Sequence, residues 1–382
     1  MKIIKLSNQI DKESIFAKIG SSKEGNSILK EKMELNYIYL KDIKNPAALI
    51  LKQDALSVGA DLVVHKDTIL CKNEKSDALL VATNAHLKQL SKKELSQPFG
   101  LKEFAKNIMC YANQTKNRKV EIAGVINAND DSFYKGSRFK GKDAVMQIET
   151  MINDGADIVD IGGVSSRPGS EAVSEEEELR RIQPIIDEVY ISKLYDKALF
   201  SLDSYSPKCL EYALDRGFKI VNDITALSND KVAKIASKYN AKVVLMHMKG
   251  TPKDMQKNPY YDDILLEIYT FFKERIKKAQ DFGIKDIILD VGIGFGKKLQ
   301  HNLLLLKNLE YFLSLGYPLL IGASRKSMID MIIPCEIHER LPGTLSLHLQ
   351  AIKNGASIIR CHDVKEHYQA LKVWEAFEEA SY

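Results

Sequence analysis

The sequence predicts an α/β protein: a (β/α)8 TIM barrel preceded by a small N-terminal α/β extension. From residue 120 onward an apolar strand, a polar loop, an amphipathic helix and a glycine recur in turn. About eight such units fit into residues 120–382, which matches the ~250 residues of a barrel. Polar residues follow nearly every strand, as expected where all the parallel strands end on one face. A doubly wound open sheet is the alternative, but it usually contains fewer strands.

Residues 1–115 follow a different pattern and contain no catalytic motif. We expect a strand at Ile3–Leu6, a helix over Ser27–Leu40 and a second helix between Asn45 and Gly59. Further short strands are expected at Leu62–Val64, Thr68–Leu70 and Leu79–Val81, with turns at Ser91–Glu94 and Gln97–Gly100. The polar run 113–118 marks the boundary. We therefore predict an N-terminal domain, residues 1–115, that stabilises a catalytic barrel, residues 118–382.

The eight predicted barrel strands are short and apolar, as expected for strands that are buried on both faces. They are Val120–Asn127, Ile158–Val164, Ala198–Ser204, Ile220–Ile224, Lys242–His247, Ile287–Gly292, Pro318–Ala323 and Ser357–His362. Glycine suits the left-handed position that closes a helix. The helices between the strands are accordingly expected to end at Gly155, Gly217, Gly283, Gly316 and Gly355.

Composition excludes several classes of protein. A hydrophobic content of 45% and a charged content of 28% are those of a soluble globular protein. The net charge of +4 suits anionic small substrates and gives no reason to invoke nucleic acid. The five cysteines are widely spaced, without a C-x-x-C pair, which argues against a disulfide framework and a zinc site. No apolar run approaches the ~20 residues of a membrane span, so we expect a cytoplasmic location.

The stretch from Gly155 to Gly169 is the most informative part of the chain. An acid, Asp160, interrupts the apolar run Ile158–Ile161, and a glycine pair ends that run. The loop that follows holds two hydroxyls, a guanidinium and a Pro-Gly turn. Such residues at the C-terminal end of a buried strand indicate a site that handles anions. The structural alternative is an ordinary glycine-rich turn in which Asp160 caps the next helix.

Comparable polar residues lie at or just past the C-terminal ends of the other strands. They are Asn127, Asp203, Asn222, Asp223, His247, Asp290, Ser324–Lys326 and Arg360–Asp363. For any single position a capping or loop-anchoring role is the alternative. Because these ends share one face of a barrel, however, we expect the side chains to converge on one active site.

Two sets of side chains differ in the chemistry that they offer. Asp203, Asn222 and Asp290 match a flat heterocycle that presents N–H donors, and Lys326 can donate to a ring oxygen or nitrogen. The second set is rich in donors and cations, which suits pyrophosphate. It comprises Asn127, Ser165, Ser166, Arg167, Arg360 and His362.

From residue 120 to about 378 the chain resembles the dihydropteroate synthase family. The matching motifs are Asn127…Asp131-Ser132-Phe133, Asp160–Gly163, Ser165–Gly169, Asp203–Tyr205, Asn222–Ile224, Leu245–Met248, Gly250–Pro252, Asp290…Gly292–Lys297, His301–Leu303, Gly322…Ser324–Ser327, Gly343-Thr344 and Arg360…His362–Val364. The Ser-Arg-Pro loop and the Ser-Arg-Lys-Ser run are the most discriminating. The first loop departs from the family pattern, because Asp130 stands where a proline is usual, and Val291 replaces the proline of Asp-Pro-Gly.

The resemblance implies a transferase of folate biosynthesis that is a sulfonamide target. It would condense 6-hydroxymethyl-7,8-dihydropterin pyrophosphate with p-aminobenzoate by a dissociative, carbocation mechanism. On this model Asp203, Asn222, Asp290, Lys326, Met246 and Phe295 bind the pterin, and Asn127, Arg360 and His362 bind pyrophosphate. Mg2+ lies near Asn127, and Ser165, Ser166, Arg167 and Pro168 form the p-aminobenzoate loop. The catalytic residues are then Asn127, Arg167, Lys326, Arg360 and His362.

The resemblance also implies a homodimer whose partners are these small molecules. From the net charge and the lack of a long apolar run, we expect neither nucleic acid nor membrane as a partner. Two other functions stay open from the sequence. A methyltetrahydrofolate-dependent methyltransferase would share the barrel and the ring-binding acids, but it would have no use for the Ser-Arg-Pro loop. A non-catalytic pterin-binding protein is supported by the altered first loop alone.

Overall fold

The structure, a computed structural model, describes residues 3–4, 11–112, 119–128, 142–165 and 173–380. The chain divides into two compact units, residues 1–116 with 376–382, and residues 117–375. Within the described ranges, no helix has the length and apolar character needed to cross a membrane.

The first unit is a three-stranded antiparallel sheet covered by helices. Its elements are α1 Lys12–Ile19, α2 Lys23–Lys32, β1 Leu35–Lys44, α3 Asn45–Val58, β2 Asp61–Val64, β3 Lys75–Thr83, α4 Asn84–Glu94 and α5 Leu101–Ala112. The central strand, β3, pairs with β1 on one side and β2 on the other. Leu62 and Leu80 from the sheet pack with Leu51 and Leu87 from α3 and α4 to form its core. The helix predicted to end near Gly59 and the strands around Leu62 and Leu79 are confirmed.

Other predictions for this unit are wrong. Helix α2 stops at Lys32, and the second half of the predicted Ser27–Leu40 helix is strand β1, whose side chains alternate in exposure. Tyr and Ile favour such a half-buried strand over a helix. Thr68–Leu70 is a single 3-10 turn. Ser91–Glu94 lies in α4, because Ser91 and Glu94 continue the buried face begun by Leu87 and Leu90. Ile3 and Ile4 are not in a strand, and the rest of that predicted strand lies outside the described residues.

The second unit is a closed barrel of eight parallel strands in sequence order. The strands are β4 Glu121–Asn127, β5 Ile158–Gly162, β6 Leu199–Asp203, β7 Ile220–Asp223, β8 Lys242–Met246, β9 Ile287–Asp290, β10 Leu319–Ile321 and β11 Ile358–Cys361. The helices are α6 Lys142–Asn153, α7 Glu175–Ile191, α8 Pro207–Leu214, α9 Asp230–Lys238, α10 Ile264–Asp281, α11 Leu299–Lys307, α12 Glu310–Leu313, α13 Ser327–Ile332, α14 Leu341–Lys353 and α15 Val364–Glu379. All eight predicted strands are confirmed, and the five glycines predicted to close helices have positive φ.

Alternation along the strands divides the barrel core into two parts. Residues such as Val159, Val221 and Leu289 belong to the large cluster between strands and helices. Their neighbours in the chain point inward, since successive strand residues face opposite sides. One inward residue from each strand forms an apolar layer inside the barrel. The layer comprises Ala123, Ile158, Leu199, Ile220, Val244, Ile288, Leu320 and Ile358.

Candidate active site

The polar side chains of the site stand directly above the apolar layer. Asp160, Asn222 and Arg360 each follow a residue of that layer by two positions, so they point to the same interior. Asp290 follows Ile288 in the same way. Because strand side chains alternate between the two faces, acids, an amide and a guanidinium lie at the C-terminal end of the barrel, directly above the apolar layer.

Arg360 links two acids at the centre of this group. Its Nε donates to Asp160 Oδ2 at 2.6 Å, and its Nη2 donates to Asp203 Oδ2 at 2.8 Å. Asn222 Nδ2 donates to the same oxygen of Asp160 at 3.1 Å. Asp160 is 2% exposed, and its Oδ1 is buried with no hydrogen-bond partner among the described residues. A buried acceptor of this kind is costly unless a ligand supplies a donor.

Burial makes two acids of the site, Asp203 and Asp290, harder to ionise. It raises the pKa of Asp203 to about 7, against the opposing charge of Arg360, while the neighbouring Asp160 adds to the increase. Burial also raises the pKa of Asp290, although its Oδ1 accepts a hydrogen bond from the backbone N–H of Gly292 at 2.8 Å. Both carboxyl groups thus favour a ligand that offers N–H donors to stabilise their charge.

The loops after β8 and β9 are joined by a buried lysine. Lys297 Nζ lies 3.0 Å from His247 Nδ1 and donates to the carbonyl oxygens of His247 and Phe295 at 3.2 and 2.9 Å. Burial lowers the pKa of Lys297 to about 7 and that of His247 to about 2. A Cβ on Gly292 would lie 2.0 Å from the His247 carbonyl oxygen, so the loops meet only because this residue is glycine.

Lys326 and Phe295 form the side of the site next to Asp290. Lys326 Nζ lies 4.5 Å from the centre of the Phe295 ring, within the range of a cation–π contact. Burial and the charge of Arg360 lower the pKa of Lys326 to about 8, although its side chain keeps some exposure. Lys326 can therefore donate to a ligand while it remains largely protonated at neutral pH.

The loops after β10 and β11 are joined by side-chain bonds. Ser324 Oγ lies 2.9 Å from His362 Nδ1, and it accepts a hydrogen bond from the backbone N–H of His362 at 3.3 Å. Arg325 donates two hydrogen bonds to Asp363, at 2.9 and 2.6 Å. Burial, with the nearby charge of Arg360, lowers the pKa of His362 to about 4. His362 is therefore neutral at neutral pH, although the sequence analysis groups it with donors and cations.

A cavity of about 540 Å3 opens above β5–β8, and its size is typical of a small-molecule pocket. Asp203, Met246 and Ser165 of the predicted site line it. Further lining residues include Glu178, Tyr205, Ile224 and Arg275. Among the acids of the barrel interior, Asp203 thus opens directly into a space that can hold a ligand.

Most of the predicted site residues come together at this end of the barrel. Asn222, Asp290, Arg360 and His362 lie at or just past strand ends. Asn127 closes β4, beside Gly162. Ser166, Arg167 and Pro168 lie outside the described residues, so their predicted role in the p-aminobenzoate loop stays a prediction.

Sequence reasoning gave no ligand-binding role to Asp160, although the structure places it at the centre of the network. An acid within an apolar run was the signal, but its partner Arg360 lies 200 positions away. In the sequence, Lys297 is recognisable only as the last residue of the motif Gly292–Lys297. Its burial could not be foreseen, because it depends on how closely two loops approach each other.

Comparison with known proteins agrees with this geometry. Residues 123–362 match the model of a protein family described as pterin binding enzymes. A bifunctional dihydropteroate synthase/dihydropteroate reductase from Helicobacter pylori is 39% identical over 377 residues, covering 99% of each chain. The dihydropteroate synthase of Haemophilus influenzae is 40% identical over 259 residues, which cover 67% of this chain and 93% of its own.

Solved structures give the same result. The dihydropteroate synthase of Yersinia pestis, in a sulfonamide drug complex, has a TM-score of 0.65 and 36% identity over 69% of this chain and 95% of its own. The Xanthomonas albilineans enzyme with 4-aminobenzoic acid has a TM-score of 0.63 and 36% identity over 70% and 95%. The chain therefore belongs to the dihydropteroate synthase family of pterin-binding enzymes, and it is a transferase that makes dihydropteroate for folate synthesis.

Proposed function

We propose that the residues above the apolar layer divide the condensation between them as follows. Asp290 and Asp203 accept N–H donors of the pterin, Asn222 completes that edge, and Lys326 donates to the ring. Arg360 and His362 bind the pyrophosphate. The buried Asp160–Arg360–Asp203 group carries this assignment, because it places acceptors for a heterocycle beside a cation for the leaving group.

In this proposal the reaction is dissociative. The bond between the pterin methylene and the pyrophosphate oxygen breaks first, and the electron pair leaves with pyrophosphate. The electron-rich dihydropterin stabilises the resulting cation until the amine of p-aminobenzoate attacks it and releases a proton. The protein supplies charge for the leaving group and excludes water, so no nucleophilic side chain is needed.

Arg360 and His362 suit the leaving group in different ways. Nη1 of Arg360 makes no hydrogen bond to the described residues, so one arm of the guanidinium remains for pyrophosphate. If Ser324 donates to Nδ1, His362 carries its proton on Nε2 and offers a neutral N–H to the anion. Lone pairs of a bound anion would raise the pKa of His362 and strengthen this bond.

Mg2+ fits beside Asn127. A Cβ on Gly162 would lie 3.9 Å from Asn127 Oδ1 and 3.8 Å from Asp203 Oδ2, so both oxygens border the small space that this glycine leaves. The described residues contain no cluster of acids, histidines or cysteines that could hold a metal alone. Mg2+ is commonly bound by phosphates with few protein oxygens, and here it would neutralise pyrophosphate charge. We propose that Asn127 contributes the protein ligand.

One assay tests the proposed chemistry. Pyrophosphate should be released from dihydropterin pyrophosphate only when p-aminobenzoate is present, and 7,8-dihydropteroate should appear in equal amount. Release without p-aminobenzoate would indicate simple hydrolysis and contradict the exclusion of water. Methyl transfer from methyltetrahydrofolate would support the methyltransferase, and binding without turnover would support the non-catalytic protein.

A dihydropteroate reductase activity is the second candidate. The Helicobacter pylori relative bears that activity in its name, and its match covers 99% of this chain, so it extends over most of the segment before residue 123 that the pterin-binding family model leaves out. Reduction of the dihydropterin ring adds a hydride and a proton; a reduced nicotinamide or flavin would supply the hydride, and the proton would come from solvent. The full chain should then consume NADH or NADPH with 7,8-dihydropteroate, with or without added flavin. No consumption above a protein-free control would exclude this activity.

The homodimer and the cytoplasmic location expected from the sequence stay predictions. Light scattering of the purified chain would measure the first, and fractionation of cells would measure the second.

A further inference from the structure

Two buried histidines behind the site form a continuous chain of hydrogen bonds. The backbone N–H of Ala323 donates to His348 Nε2 at 2.9 Å, and His348 Nδ1 lies 2.8 Å from His367 Nε2. His367 Nδ1 in turn lies 2.6 Å from the carbonyl oxygen of Asp363. His348 is 1% exposed and His367 is 5% exposed, on α14 and α15. Neither residue lines the cavity above β5–β8.

The two ends of the chain fix the proton on each ring. A backbone N–H can only donate, so His348 Nε2 must be unprotonated and its proton must sit on Nδ1. That proton is donated to His367 Nε2, which leaves the proton of His367 on Nδ1 for the carbonyl oxygen of Asp363. An additional proton on either ring would place two N–H donors opposite each other. The arrangement therefore requires both histidines to be neutral.

The surroundings of the pair favour this neutral state. Burial lowers the pKa of His348 well below its usual range, and the nearby His367 and His362 act in the same direction. Burial also lowers the pKa of His367, with Arg325 in the same sense, while Asp363 and Glu366 oppose it. Among the described residues, no acid is a cause of the pKa shift of His348. We therefore expect both histidines to stay neutral, and their hydrogen bonds to persist, at pH values well below 7.

Ala323 and Asp363, at the two ends of the hydrogen-bond chain, lie next to residues of the proposed pyrophosphate and pterin sites. Ala323 precedes Ser324, Arg325 and Lys326, and Asp363 follows His362 and binds Arg325 through two hydrogen bonds. Arg325 has φ 53, an unfavourable conformation for a residue with a side chain. Its backbone N–H is held by Thr344 Oγ1 at 2.9 Å, one helical turn before His348. The backbone that aims Lys326 is thus anchored to α14 at two points.

We propose that His348 and His367 form a positioning relay that sets the Ser324–Lys326 loop relative to His362. The inference rests on the proposed roles of Lys326 and His362 as ligand contacts. Neither histidine touches the ligand. Through Ala323 and Asp363, the relay keeps the two loops at the separation that one bound substrate requires. Small misplacements of binding groups can reduce turnover strongly, so a buried pair outside the cavity can control the rate.

Variants of His348 test the relay. His348→Leu removes the acceptor for Ala323, whereas His348→Gln keeps an oxygen in reach of it. We expect the Leu variant to bind pyrophosphate more weakly and to lower kcat about tenfold, and the Gln variant to stay within about threefold of wild type. Val232→Ala on α9, a buried change on a helix that carries neither histidine, is the control for loss of stability. It should lower Tm and leave kcat unchanged.

Nuclear magnetic resonance of protein with 15N-labelled histidine provides a readout independent of activity. The 15N chemical shifts of His348 and His367 should be those of neutral rings protonated on Nδ1, and they should persist at pH 5. Both sets of signals should be lost or shifted in His348→Leu. The relay is contradicted if the two signals that His348→Leu removes or shifts belong to rings protonated on Nε2, or if a folded Leu variant keeps wild-type pyrophosphate affinity and kcat. If wild type itself shows no p-aminobenzoate-dependent release, the proposed roles fail, while the ring signals and pyrophosphate titration still decide on the relay.

Discussion

Asp290 is buried, and its Oδ1 accepts a hydrogen bond from the backbone N–H of Gly292. We therefore expect pterin binding to be sensitive to substitution of this residue. Asp290→Asn keeps an oxygen for the N–H of Gly292 but turns a donor toward the donors of the pterin. We expect binding of a pterin analogue to weaken by ~2–4 kcal/mol, measured by calorimetry. Asp281→Asn, an exposed change of the same type at the end of α10, should bind as wild type. Wild-type affinity in a folded Asp290→Asn protein would refute the assignment.

Asp203 should make stability depend on pH. Its folded pKa, about 7, lies above the unfolded value, so its contribution is complete below about pH 4 and is lost as pH rises through 7. Asp203→Asn removes this loss. We therefore expect the difference in Tm between the variant and wild type to be more favourable to the variant at pH 8 than at pH 5. An equal difference at both values would show that Asp203 has an ordinary pKa.

The metal proposed beside Asn127 should be required for turnover and not for pterin binding. A chelator should abolish the p-aminobenzoate-dependent release of pyrophosphate, and added Mg2+ should restore it, because pyrophosphate supplies most of the ligands. A pterin analogue without phosphate should bind equally well with and without the chelator. Full turnover in a thoroughly chelated, dialysed sample would rule out this role.

Individual residues also show how far the sequence could be interpreted. Asp203, Asn222 and Asp290 were predictable, because strand alternation and a shared barrel end determine where such side chains point. The pairing of Arg360 with Asp160 was not, since sequence gives no measure of distance across the barrel. The neutral state of His362 depends on burial, which only the folded chain shows.

At the level of elements, the contact between the loops after β8 and β9 depends on Gly292. Gly292→Ala adds a Cβ at 2.0 Å from the His247 carbonyl oxygen, at a residue with φ +68. We expect destabilisation by ~2 kcal/mol or more and a loss of turnover, because the loop must move away from Asp290. Denaturant unfolding and kcat measure the two effects.

Gly316→Ala is the control for Gly292→Ala, because it distinguishes a steric collision of the added carbon from strain of the backbone. Gly316 also has a positive φ, +87, but a Cβ there would meet nothing within 4 Å. Gly316→Ala should therefore lower the free energy of unfolding only by the strain of the backbone conformation, and it should leave kcat unchanged. Equal destabilisation by the two substitutions would mean that the loops tolerate the additional carbon.

Errors in predicting elements were confined to the first unit. In the barrel each strand is a short, largely buried run that ends at or near polar residues and is followed by a helix, so the repeat itself helps to fix each boundary. Strand β1 has no such repeat, and its polar residues Asn36 and Lys41 resemble those of an exposed helix. Its pairing with β3, more than 30 residues later, decides the outcome.

For the whole molecule, the role of the first unit stays a prediction. A chain that starts near residue 117 should keep its Michaelis constants within a few fold, because the site residues described above all belong to the barrel. It should melt earlier or aggregate, as expected if residues 1–115 stabilise the barrel. Thermal unfolding and steady-state kinetics distinguish the two effects. A stable truncated protein that has lost its p-aminobenzoate affinity would show that this segment serves the active site.

The ion pairs of Arg360 have a thermodynamic consequence for ligand binding. Arg360 already pairs with both Asp160 and Asp203, so pyrophosphate must compete with two internal carboxyl groups for this cation. Any shift of Arg360 toward the anion leaves Asp203 more negative and a better acceptor for the pterin. The two halves of the substrate are then energetically coupled through one guanidinium. By linkage, pyrophosphate and a pterin analogue must change each other's affinity by the same factor, so an inhibitor that occupies one half alone forgoes that gain.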